Sequence, residues 1–187
     1  MRVLQRENLR TGLRDATRQG HDALDLSMRD TGWRDRASYG RFLQMQHAAR
    51  APIEKWAGRA CPAELSPPPQ TRLIEDDLAE LGIAPVAPPY EFELPENADP
   101  IGLAWAIAGS SLGNRAILHD ISKSAEEDLP TRFLADESMT SFWNSLRPAL
   151  GEFVSDQEKA AATLAALAVF DHFRATVNAI KASREAL

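Results

Sequence analysis

The stretch Leu13-Arg14-Asp15-Ala16-Thr17-Arg18-Gln19-Gly20-His21-Asp22-Ala23-Leu24-Asp25 decides how this chain is read. Taken as a helix, at about 100° per residue, it aligns Leu9, Leu13, Ala16, Gly20 and Leu24 as an apolar stripe with His21 on its edge. Arg14 stands two turns before His21, roughly 10 Å along the axis and on nearly the same meridian, and Arg18 is offset by about 60°. One flank of one helix therefore offers an imidazole and two guanidinium groups. Such a flank can be a solvated face, with Asp15, Asp22 and Asp25 pairing the arginines and His21 simply packed. It can equally recognise an anionic ligand whose body reaches the imidazole.

The flanking sequence is punctuated like a helical protein. Asn8 is placed to cap a first helix over Leu9–Leu26, followed by a connector, 27–36, marked by Asp30, Thr31 and Gly32. A second helix begins near Ser38, with Tyr39, Phe42, Leu43, Gln46, Ala49, Ile53 and Trp56 inward, and Pro52 is expected to kink or divide it. After Pro62 and Pro67-Pro68-Pro69, a third helix spans Gln70–Leu81, with Gly82 ending it and Glu75, Asp76, Asp77 and Glu80 on its polar face. Pro85, Pro88, Pro89 and Pro95 make 83–98 an extended surface loop. Asp99-Pro100 starts a long helix to Ile121. Another runs from Ser138 to Phe153, disturbed at Pro148, with Phe142, Trp143, Leu146 and Leu150 inward. Ser155-Asp156-Gln157-Glu158 has the capping-box pattern and opens the last. No segment alternates with period two over strand length. The expectation is an all-α bundle of six to eight helices forming a single domain over residues 1–187.

Bulk composition narrows the function. The 187 residues, 44% hydrophobic and 26% charged, are those of an ordinary globular chain of one domain. A net charge of -6 without a Lys/Arg run argues against a nucleic-acid partner. Cys61 is the only cysteine, so no intramolecular disulfide and no multi-thiolate metal site can form. With no apolar signal core at the N-terminus and no run judged long enough to span a bilayer, the chain reads as cytoplasmic, without a membrane partner.

A second unusual stretch lies in the long helix. Gly109 and Gly113 share one face and leave a full turn of backbone bare, at about 1 kcal/mol each relative to alanine. Close helix packing explains such a pair, and so does a flat ligand lying against the backbone. Ser110, Ser111 and Asn114 put polar groups beside that surface, as in a lined cavity. A haem would satisfy both stretches, with iron on His21 and propionates on Arg14 and Arg18. His47, His119 and His172 lack Glu-x-x-His or His-Glu-x-x-His spacing and are assigned to no metal. Hydrolase and phosphate-loop patterns are missing.

Leu13-x-x-Ala16-Thr17-x-x-x-His21-x-x-x-Asp25 resembles the proximal helix of the haem oxygenases. Gly109-Ser110-Ser111-Leu112-Gly113 resembles their distal glycine motif, in the form of bacterial members found with bacteriophytochromes. Arg72-Leu73, Asp77-Leu78, Leu81-Gly82, Phe133-Leu134 and Trp143 follow in the family's order, so the resemblance covers most of the chain. It implies an all-α fold holding haem between two helices, and oxidative opening of the ring to biliverdin, CO and iron by O₂ and external electrons. By motif position His21 would be the iron ligand and Arg14 and Arg18 would lie near the propionates. Gly109, Ser110, Gly113 and Asn114 would form the distal, catalytic wall. The implied partners are an electron donor such as ferredoxin or a reductase, and a bacteriophytochrome accepting biliverdin. Three positions depart from the family pattern: Asn114 for a second glycine, Ser110 for the aspartate of animal-type members, and Ala108 for an acid. Asn114 would either fill the distal space or donate a hydrogen bond to a bound ligand. A haem or tetrapyrrole sensor or carrier without turnover is the alternative, and a helical interaction protein that has lost its ligand is a third reading.

Overall fold

Side-chain caps set where the helices begin in the computed structural model, which describes residues 7–29, 33, 35–124 and 128–185. Asn8 Oδ1 accepts from the Thr11 amide at 3.0 Å and opens α1, Leu9–Arg29, which runs past the expected Leu26. The expected connector residues Asp30, Thr31 and Gly32 lie outside the described residues. Asp35 and Ser38 form a reciprocal capping box for α2, Arg36–Ala60. A short 3₁₀ turn, Ala63–Leu65, leads through the prolines to α3, Thr71–Glu80. Gly82, at φ 66°, closes α3 in a Schellman arrangement, with the Ile83 amide on Leu78 O and the Gly82 amide on Ala79 O, each at 2.9 Å. Asp99 Oδ1 takes the Ile101 amide at the start of α4, Pro100–Ser124. The four-residue α5, Arg132–Ala135, precedes α6, Ser138–Gly151. The Ser155–Glu158 box opens α7, Asp156–Glu185. The fold is therefore an all-α bundle with six helices of ten residues or more, and no strand among the described residues.

Several expectations are corrected by the packing. Pro52 does not divide α2. It is buried within one continuous helix, where Ala49, Ile53, Trp56 and Ala57 keep the same register against the core. Pro148 likewise lies inside α6, and Phe153, expected within that helix, is beyond its end and exposed. Ala16 is exposed and Thr17 takes its inward place, because the Thr17 hydroxyl donates to Leu13 O at 2.8 Å and is buried without an orphaned polar group. Asp77 is not on a polar face. It is fully buried, accepting from the Arg132 and Phe133 amides at 3.1 and 3.0 Å and from Arg132 Nη1 at 3.2 Å, which pins α5 to α3. The 83–98 loop is extended but not purely superficial: Phe92 is buried edge-on to Trp56 and His172. Burying such an aromatic is worth about 1.5–3 kcal/mol.

Helix α7 forms the spine, packing against α1, α2 and α4. By length and composition it could cross a membrane, contrary to the expectation that no run approaches that length, and half of its apolar window is buried within the bundle. The α4–α7 crossing is close at Gly102, where an added Cβ would lie 1.8 Å from Ala162 O. Leu13, Leu103, Ala104, Ala165, Ala166 and Val169 fill the core around it. A second cluster joins Tyr39, Phe42, Leu43, Ile74, Leu78 and Phe133 under the C-terminal half of α4.

Candidate functional site

A cavity of about 690 Å³ opens between α1 and α4, with α2 and α7 contributing to its walls. That size is in the roughly 300–1,000 Å³ range of cofactor sites. Its α1 wall carries Arg10, Arg14, Thr17, Arg18, His21 and Asp25; its α4 wall carries Trp105, Gly109, Ser110, Gly113 and Asn114. Arg14, Arg18, His21, Gly109, Ser110, Gly113 and Asn114 thus line one space, whereas Ser111 does not border it. The stripe that buries Leu9, Leu13 and Thr17 turns the neighbouring flank, with His21, toward α4.

His21 is half-exposed, and its Nδ1 lies 3.2 Å from Asp25 Oδ2, one turn on. A carboxylate there favours the proton on Nδ1 and leaves Nε2 as the lone-pair nitrogen, as for a histidine held ready to ligate a metal. The ring also meets Phe170 edge-on, with centroids 6.1 Å apart. Of the four histidines, only His21 lines the cavity. His47 Nε2 lies 3.1 Å from Glu75, His172 donates to Ala49 O at 3.1 Å, and His119 is exposed. Burial holds the His172 imidazole below the usual histidine value despite that hydrogen bond.

Arg18 pairs with Asp15 at 2.6 Å, and Arg14 Nε is 3.5 Å from the same oxygen. Both guanidiniums are about two-thirds exposed, at 65% and 68%, so these pairs hold them weakly and leave them able to turn to another anion. Sequence reasoning missed Arg10, one turn before Arg14, whose guanidinium lies 5.5 Å from the Trp143 ring centroid and also borders the cavity. Its spacing from Arg14 was the available signal. It also missed Arg50, fully buried in α2 and donating to Ser110 Oγ at 2.8 Å. Four guanidiniums and the carboxylates of Asp22 and Asp25 border the space, so an acidic chain has a cationic cavity.

The glycines of the α4 wall are not helix-packing positions. A Cβ at Gly113 would meet nothing within 4 Å, and one at Gly109 would meet only Trp143, at an ordinary 3.8 Å. Backbone is bare here because it faces open space. Ser110 and Ser111 return their hydroxyls to Ile107 O and Ala108 O at 2.6 and 2.7 Å, and Ser110 Oγ accepts in turn from Arg50. Asn114 is buried beside Gly113. The buried Trp105 Nε1–H has no acceptor among the described residues, on a side chain that lines the cavity. A flat, partly anionic ligand with a metal centre fits this donor set.

Compared with protein-family models and with curated proteins, the chain matches none.

Proposed function

We propose that this is a haem-binding helical protein, with the ring held between α1 and α4. The observation that supports it best is the pairing across one cavity of an imidazole oriented by a carboxylate with bare helix backbone opposite. His21 would hold the iron through Nε2, with Asp25 fixing the ring through Nδ1. Arg10, Arg14 and Arg18 would take the propionates in charge-assisted hydrogen bonds at the cavity mouth.

The particular activity we assign is that of a haem oxygenase of the bacterial, bacteriophytochrome-associated type. Bound haem would be both the O₂-activating centre and the substrate, opened with external electrons to biliverdin, CO and iron. The chain's own residues would direct that reaction. Absence of Cβ atoms at Gly109 and Gly113 would let the ring lie close to α4, confining a small ligand to one edge. Ser110 and Asn114 would offer hydrogen bonds there, and Phe42, Trp33 and Phe173 would exclude bulk water. A ferredoxin or reductase would supply electrons, and a phytochrome could take the biliverdin. Asn114, buried at the wall where the family pattern has glycine, favours a second reading as a haem carrier or sensor without turnover.

Turnover separates the two. Hemin-loaded protein given ascorbate or a ferredoxin–reductase system in air should lose its Soret band and gain biliverdin absorption. A Soret band that persists for hours, while a known haem oxygenase clears its own, would sink the enzyme assignment and leave the carrier.

A further inference from the structure

Among the described residues Arg50 is the largest fully buried side chain, 2% exposed, and it makes no ion pair. Nη2 donates to Ser110 Oγ at 2.8 Å, Nε donates to Gln46 Oε1 at 3.1 Å, and the guanidinium carbon lies 5.2 and 5.8 Å from the Phe133 and Phe173 ring centroids. Among the described residues no carboxylate comes within ion-pair distance of it. Glu54, one turn further along α2, is committed elsewhere: it accepts from the Gln70 amide at 2.8 Å and from the Thr71 hydroxyl at 2.5 Å. Burial lowers the Arg50 pKa to about 10, which still leaves it charged near neutrality. A buried cation whose direct contacts are all neutral, with the Glu54 carboxylate acting on it only at longer range, is an expensive arrangement for packing alone, and a methionine of similar reach would fill the same volume.

Its position gives the charge a use. Arg50 borders the cavity and is joined to Ser110, the residue between the bare backbone of Gly109 and that of Gly113. We propose that Arg50, positioned by Ser110, forms a small-anion subsite on the α4 side of the cavity, stabilising negative charge on a small ligand held against the Gly109–Gly113 face. This rests on the haem reading and deepens it. A wall without an acidic side chain at Ser110 would then use a buried cation to favour anionic over neutral ligands of the haem iron. Arg50 acts through its field in a poorly screened space, its guanidinium anchored by the Ser110 oxygen, whose own proton lies on Ile107 O.

The test uses hemin-loaded protein titrated with azide, an anion, and with imidazole, a neutral ligand, each followed by its Soret shift. Arg50→Gln should weaken azide by about tenfold or more and imidazole by less than about threefold, with Arg50→Lys intermediate, the scale of losing one charge-assisted hydrogen bond. Ser110→Ala, which leaves the Arg50 charge in place but removes the oxygen that anchors Nη2, should weaken azide by about threefold and carries the test if Arg50→Gln does not fold. An unchanged azide-to-imidazole ratio in these variants, or a parallel loss of both ligands, would make Arg50 a packing residue and overturn the subsite. Failure of the unaltered protein to bind hemin would be a different result, overturning the haem reading and the subsite together.

Discussion

The two halves of α4 use glycine for opposite ends. At Gly102 an added Cβ would lie 1.8 Å from the Ala162 carbonyl of α7; at Gly113 it would meet nothing within 4 Å. In the first half the missing side chain lets two helices touch, and the neighbours Leu103 and Ala104 are sealed in the core. In the second half the missing side chain leaves helix backbone facing a cavity, where no folding benefit offsets the roughly 1 kcal/mol that glycine costs against alanine. A small residue in a helix thus acquires its meaning from what stands opposite. The bare face opposite His21 is kept for something other than helix packing.

Substitutions should separate the halves, beginning with the largest effect. Gly102→Ala drives a methyl into α7 backbone and should lower unfolding free energy by about 3 kcal/mol or more, read by urea denaturation. The same substitution at Gly113 should reverse the sign, raising the stability of the ligand-free protein by up to about 1 kcal/mol. That methyl stands where a ring would lie, so hemin affinity should fall by about tenfold in Gly113→Ala, measured by fluorescence quenching. A Gly113→Ala protein that is less stable and binds hemin unchanged would erase the contrast.

The smallest effect lies away from both halves, at His172. Burial keeps its folded pKa below 6.5, so the unfolded chain takes up the proton first as the pH falls. The stability contributed by neutral His172 is complete above the unfolded value and is lost as the pH drops through 6.5 toward the folded one. The Tm should therefore decline between about pH 7 and pH 5, and His172→Gln, which keeps a donor for Ala49 O, should flatten that slope. An identical slope would show that other groups govern it.

What could be read from the chain itself was mostly local chemistry. Asn8, Asp99-Pro100, Ser155-Glu158 and Gly82 mark helix ends because caps depend on a few adjacent residues. His21, Arg14 and Arg18 could be placed together because helical spacing fixes a shared flank, and Gly109 and Gly113 for the same reason. Partners across the fold were hidden. Asp77 sits in an acidic run and looks solvated until α5 brings two amides to it. Arg50 carried a usable signal, since Leu43, Gln46, Arg50, Ile53 and Ala57 recur at alternating three- and four-residue spacing, the pattern of an inward face. A charged residue in that stripe is either paired in the core or aimed at a ligand. The division of α2 allowed for at Pro52 does not occur, because a missing amide weighs little against a buried face that continues in register on both sides.

The most direct test of haem held between α1 and α4 is a hemin titration of the unaltered protein beside His21→Ala. The account predicts a sharp Soret band at one equivalent, its loss or broadening in His21→Ala, and its recovery there on adding imidazole. An identical spectrum in His21→Ala would remove His21 from the iron and contradict the account.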